Sequence, residues 1–296
     1  MRIFPGRRRI GALAVLIVAG LAFDAGPAHA VAQNRGPVAV LYAGSLTALM
    51  QNGIGPAFAR ATGDSVSGIA AGSQELASEI RGGIQRADVF ISASPSVDAR
   101  LEGARNGNFV SWYATFARSA LLLAYNPKSR FAAALRTRPW WSVVTEKGFR
   151  LGRTDPAVDP KGVLADEALV AASRAHHSRA LAALARDPAN EFPEQSLVGR
   201  LQAGQLDAGF FYAVEAAAAD LSTVALGGRA LGARFTVTVL RNAPDPARAK
   251  AFVAFLLSPT GRRLLGRNGL SVLRPIPVSG RRGAVPAGLV ALFARA

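Results

Sequence analysis

Cysteine is absent from this 296-residue chain. Its absence excludes disulfides, thiol catalysis, thiolate metal ligation and a lipid tether on an N-terminal cysteine. Histidine is scarce, with three in all. His176 and His177 fall in an alanine- and arginine-rich helical stretch and are expected to be exposed, so no serine–histidine–acid set is in view. No phosphate loop with its lysine occurs either. Acidic residues are few beside basic ones, 19 against 35, which gives a formal net charge of +16. Such a surface draws anions, membranes or nucleic acid. Beyond the extreme N-terminus there is no basic block, which argues against nucleic acid. The long apolar run at residues 10–23 follows Arg7-Arg8-Arg9 and ends near Ala28-His29-Ala30. That order of basic, apolar and small residues reads as a secretory signal peptide over residues 1–30. The run is shorter than the ~20 residues a spanning helix needs. An exported chain without a lipid tether needs an enclosed compartment, and the periplasm is the expected location.

What is present is an alternation of strand and helix. Residues 38–41 form a short apolar run, followed by Tyr42-Ala43-Gly44-Ser45 and then apolar residues at helical spacing, Leu46, Leu49, Met50, Ile54 and Phe58. The pattern predicts a buried strand, a tight turn and a helix, with Ser45 either capping that helix or facing an anion at its N-terminus. Residues 65–69 and 88–91 predict two more strands. The first runs into Ala71-Gly72-Ser73 and a helix over 74–81, the second into Ser92-Ala93-Ser94. Strand and helix in turn imply a parallel α/β sheet, with ligands beyond the carboxyl ends of the strands. A second α/β unit starts near residue 118 and includes predicted strands at 118–127, 149–156, 207–212 and 235–240. Trp140 and Trp141 are expected in a helix, packed in the core. Asp155 and Asp159 each precede a proline, a position that favours turns, although the two could also form a carboxylate pair. The tail from Gly280 is rich in glycine, proline and arginine and has a short apolar end.

Three motifs, Tyr42-Ala43-Gly44-Ser45-Leu46-Thr47, Gly72-Ser73-Gln74-Glu75-Leu76-Ala77 and Asp88-Val89-Phe90-Ile91-Ser92-Ala93, resemble those of the periplasmic molybdate/tungstate-binding proteins of ABC importers. Gly152-Arg153-Thr154-Asp155-Pro156 through Asp159-Pro160-Lys161-Gly162 is similar to that family's second-lobe loop, and Gly209-Phe210-Phe211-Tyr212 to its tyrosine-bearing strand. The resemblance implies a type II periplasmic-binding fold, two α/β lobes joined by a hinge around a ligand cleft. Lobe 1 would be residues 37–116 and 238–296, and lobe 2 residues 117–237. It further implies a ligand shell of Ser45, Ser73 and Tyr212 with backbone amides near Lys161 and near Glu194 or Gln195. The Lys161 side chain is expected in solvent.

The implied ligand is molybdate or tungstate, a dianion that accepts hydrogen bonds and donates none, so the shell is expected to offer donors only. Tungstate-binding relatives expand the metal with two carboxylates. Asp159, or less readily Asp155, would supply one. Phe211 stands where the second is expected, and Glu215 is the substitute unless it is an exposed helix residue. A tetrahedral, hydrogen-bonded anion is the favoured reading. The expected partner is an inner-membrane ABC permease, with the protein a monomer that needs no cofactor and performs no catalysis. Sulfate, phosphate, a carboxylate or ferric iron are the rival ligands. An exported enzyme and a regulator's effector domain are the rival classes, and the second lacks its N-terminal DNA-binding helices.

Overall fold

The apolar run at the start of the fold becomes β1 (Val38–Ala43), with Val38, Val40, Leu41 and Tyr42 all buried. Its neighbours are β2 (Val66–Ala71) and β3 (Val89–Ser92), both parallel to it. Then come β4 (Trp112–Tyr125), β5 (Leu151–Gly152), β6 (Ala208–Tyr212), β7 (Ser222–Ala225), β8 (Gly232–Val239), β9 (Ser271–Val272) and β10 (Val278–Gly280). The computed structural model describes residues 36–294, and the predicted signal peptide lies outside them. From Gly36 onward the chain is one compact unit. No helix among the described residues is long and apolar enough to cross a membrane.

The strand order is β2-β1-β3-β8-β4-β6-β5, with β7, β9 and β10 also paired to β4. The parallel trio β2-β1-β3 is the α/β sheet expected from the alternation. β8 joins it antiparallel, pairing Val89 with Val239 through Ser92 with Thr236. β4 is 14 residues long and serves both ends of the sheet. Its first part pairs with β8, β9 and β10, and its last part, from Leu121, with β6 and β7. The register between β4 and β8 shifts between Thr115 and Ala117, a bulge that bends the strand where the sequence places the first lobe boundary. The second predicted boundary, 237/238, falls inside β8.

The predicted helix after β1 is present but irregular. It tightens to a 3₁₀ turn at Gly44–Leu46, widens to a π turn at Met50–Ile54 and runs as α-helix over Gly55–Thr62. Such departures from α geometry often sit at functional sites. The tail forms the helix Ala287–Ala294, whose buried Leu289 and Phe293 pack into the core, with Phe293 5.8 Å from the Trp112 ring.

Candidate functional site

Two strand ends form one wall of a cleft. Ser45 lies inside the 3₁₀ turn after β1, and Ala43 rather than Ser45 occupies the capping position. The capping alternative is therefore corrected, and the buried Ser45 hydroxyl is left available. After β2, Gly72 precedes the helix Ser73–Arg81. Ser73 is fully buried, and its hydroxyl accepts the Ala93 N–H at 3.0 Å, which ties the turn after β3 to the helix start. The next two N–H groups, of Gln74 and Glu75, donate to the Val158 carbonyl at 3.1 and 3.2 Å. The Ser92 hydroxyl bonds within its own turn, to Ser94, and the Ser94 hydroxyl meets that of Ser96.

The facing wall comes from β6 and two helix starts. Asp159 caps the helix Pro160–Ala175, its Oδ1 accepting the Lys161 N–H at 2.9 Å. The Lys161 amide expected to hold the ligand is thus already bonded. Its side chain, expected in solvent, is instead 0% exposed, which corrects that expectation. Lys161 Nζ donates to Glu215 Oε1 at 2.6 Å and to Glu194 Oε1 at 3.3 Å, and lies 5.7 Å from the centre of the Tyr212 ring. Glu215, in the helix Ala213–Ala218, is buried, and its Oε2 accepts the Tyr212 N–H at 2.9 Å, so the exposed-residue alternative is corrected as well. Glu194 opens the helix Glu194–Gln202 and points inward, whereas Gln195 is exposed and donates to the Ala70 carbonyl at 3.2 Å. Asp155 does not join the cluster. Its Oδ1 accepts the Ala157 N–H at 2.8 Å, as a turn former does.

Several oxygens at the cleft are buried without a hydrogen-bond partner among the described residues. They include Ser45 Oγ, Tyr212 Oη, Asp159 Oδ2, Glu194 Oε2, Thr154 Oγ1 and Gln74 Oε1. Buried polar atoms are normally paired, so a group of bare ones marks a place where a ligand would complete the bonding. The electrostatics are those of a dry pocket. Burial raises the Tyr212 hydroxyl well above the usual range, reinforced by Asp159, Glu194 and Glu215. Burial works against the Lys161 charge, but Glu215, Glu194 and Asp159 outweigh it and hold the ammonium above the ordinary lysine range. Burial also raises Glu215, with Lys161 opposing. The shell is therefore not made of donors alone. Three carboxyl groups and one ammonium stand beside the neutral hydroxyls the sequence led us to expect. No group of three or more His, Cys, Asp or Glu side chains among the described residues could hold a metal ion directly.

The walls touch. A Cβ on Gly44 would lie 2.3 Å from Glu194 Oε2, and one on Gly72 2.3 Å from the Val158 carbonyl. Glycine at both strand ends lets the facing loops come this close. Beside the contact a cavity of about 500 Å³ is lined by Gly72, Thr154, Asp159, Glu194 and Gln195. A larger cavity of about 610 Å³, by Trp140, Trp141, Arg174 and His176, has none of these bare oxygens. The Lys161–Glu194–Glu215 cluster was not apparent from sequence. Its one local trace is the placement of Glu215 three residues after Tyr212, within reach of the strand's last N–H.

An α/β chain with a bulged crossover strand and a buried polar cleft between its two halves has the architecture of a periplasmic-binding protein. A family model described as bacterial extracellular solute-binding protein matches residues 38–271, and the chain belongs to that family. A Haloferax volcanii protein named a putative ABC transporter molybdenum-binding protein is 31% identical over 233 residues, covering 77% of this chain and 69% of its own. The molybdate/tungstate-binding protein of Pyrococcus abyssi is 22% identical, over 57% of this chain and 64% of its own. Among solved structures, the Azotobacter vinelandii periplasmic molybdate-binding protein superposes with a TM-score of 0.62 at 17% identity, over 80% of this chain and 100% of that one. The Mycobacterium tuberculosis sulfate-binding protein gives 0.59 at 16%, over 88% and 92%. The fold is shared by binders of different anions and does not select among them.

Proposed function

We propose that this protein captures molybdate or tungstate in the periplasm and delivers it to the permease of an ABC importer. The carrying observation is the pair of bare buried hydroxyls, Ser45 and Tyr212, beside a fully buried ammonium. Hydroxyls and N–H groups are the donors an oxyanion lacking protons requires. The names of the relatives support the choice of metal oxyanion. In this reading lobe 1 is residues 37–116 and 238–296, lobe 2 is 117–237, and the bulge in β4 serves the hinge. The anion binds on one lobe, the other closes over it, and the closed form docks on the permease.

The carboxyl groups change the coordination expected. A simple tetrahedral dianion would be repelled by an ionised Asp159 with a bare Oδ2. Molybdenum(VI) and tungsten(VI) can take an added carboxylate oxygen as a ligand, and Asp159 is the residue we assign to that role. The same bare acceptors favour one other reading, an anion that carries its own proton, such as hydrogen phosphate. Calorimetric titration of the purified chain with molybdate, tungstate, sulfate and phosphate decides. Preference for molybdate or tungstate is expected, and a preference for phosphate or sulfate overturns the assignment.

A further inference from the structure

No acidic residue follows Asp245, whereas nine arginines and lysines do. A stretch so one-sided makes a face of single sign, which attracts anions. Within it, the helix Ala287–Ala294 has no polar side chain. Leu289 and Phe293 turn into the core, and Ala287, Val290, Ala291 and Ala294 are left facing outward, with Val290 51% exposed. Beside the helix is an apolar groove of about 370 Å³, lined by Pro275, Pro277, Val285, Val290 and Phe293 among others. Basic side chains rim this apolar strip. Arg282 lines the groove, and Arg274 adjoins it through Pro275. Lys250 lies against the helix, its Cδ 3.9 Å from where a Cβ on Gly288 would stand. All three are exposed and have no hydrogen-bond or ion-pair partner among the described residues.

An apolar strip rimmed by free cations matches the boundary of an anionic bilayer, where apolar side chains enter the acyl region and cations meet phosphate. A nucleic acid would meet the cations and leave the apolar strip in water. We propose that this face docks the protein on an anionic phospholipid surface. Val290 and its groove enter the headgroup–acyl boundary, and Lys250, Arg274 and Arg282 meet the phosphates. The groove and the cavity beside the cleft share no lining residue, so the proposal stands whichever anion the cleft takes. For a carrier with no cysteine to bear a lipid, such docking would hold it at the membrane where the permease lies.

Co-sedimentation with lipid vesicles tests this. Residues 31–296 are used, which keep the compact unit from Gly36 onward and drop the apolar run at residues 10–23 that would bind lipid unaided. The chain should sediment with vesicles containing phosphatidylglycerol and not with phosphatidylcholine alone. It should be released in about 1 M salt, where the Debye length is about 3 Å. Lys250→Gln, Arg274→Gln and Arg282→Gln together should weaken vesicle binding at least about tenfold. Val290→Gln, which keeps every charge, should weaken it about threefold or more by removing an inserted apolar group. Arg81→Gln, Arg86→Gln and Arg100→Gln together are the control. These arginines are exposed and adjoin the cluster of Leu76, Ile80 and Val97 on the other face of β1–β3 from Leu289 and Phe293. The control should bind as the parent does. A parent that sediments with neither vesicle overturns the proposal, as does either groove variant binding as tightly as the parent. A control that loses as much as the triple groove variant also overturns it, since net charge alone would then account for binding. So does a chain that dimerises in solution and that Val290→Gln returns to the monomer, because a second copy would then cover this face.

Discussion

At the scale of single residues, the proposed function divides the cleft into groups that would donate to a ligand and groups that hold those donors in place. Ser45 and Tyr212 belong to the first kind. Ser45→Ala or Tyr212→Phe removes one hydrogen bond to an anion and should weaken binding by roughly 1.5–3 kcal/mol, with the fold intact. Calorimetry checks this, and parental affinity in both variants would remove them from the site. Lys161 holds other groups in place as well. Lys161→Ala leaves Glu194 and Glu215 buried without their shared cation and should destabilise the protein by about 3–5 kcal/mol, measured by urea unfolding. A variant as stable as the parent would mean that the carboxyls reach water or take up protons once the cation is gone. Ser45 was legible in the sequence because small residues at a strand end mark a turn. The burial of Lys161 was not, because its partners stand 33 and 54 positions away and no local pattern reports a long-range ion pair.

At the scale of elements, the buried polar pair between the helix Pro95–Ala99 and β8 sets a pH dependence of its own. Asp98 Oδ2 accepts the Thr236 hydroxyl, and Oδ1 has no partner among the described residues. Burial, opposed by the Thr236 bond, lifts the carboxyl from 3.8 to about 7. The folded state therefore holds this proton more tightly than the unfolded chain. Its contribution is full below pH 4, is lost as the pH rises toward 7, and amounts to at most about 4 kcal/mol across that window. Urea unfolding at several pH values should show the decline in the parent and a flatter profile in Asp98→Asn. Identical profiles would place the titration elsewhere. Among the elements, the parallel trio β1–β3 was readable because each strand is an apolar run followed by small residues. The short strands β7, β9 and β10 were not. Two to four residues carry too little periodicity, and their pairing depends on the length of β4. The tail's composition gave no role to its short apolar end, because the core positions that Leu289 and Phe293 fill are supplied only by tertiary structure.

At the scale of the molecule, the alternation of strands and helices and the two-halved plan were visible in the order of apolar runs, whereas the closed cleft was not. Closure consists of specific cross-cleft contacts. The Gln74 and Glu75 N–H groups meet the Val158 carbonyl, the Gln74 amide approaches Pro156, and Gln195 reaches Ala70. Gly72 is a position that tests closure, although a Cβ there would also come within 3.3 Å of the Asp159 Cβ. Its φ of −57° is open to any residue, so a side chain there brings no backbone strain to the open form. In the closed form a Cβ would sit 2.3 Å from the Val158 carbonyl oxygen, a backbone atom that cannot rotate aside. Gly72→Ala should therefore keep its unfolding free energy within about 0.5 kcal/mol of the parent, as a substitution that strains neither backbone nor core does. It should bind the anion at least about tenfold more weakly, because the bonds from the second lobe no longer form. Small-angle scattering separates this from a simple loss of contact. The parent's radius of gyration should fall when the anion is added, and that of Gly72→Ala should stay at the open value even at saturating anion. A variant that contracts as the parent does would show that the two halves can meet some other way, and that the Gly72–Val158 contact does not govern capture.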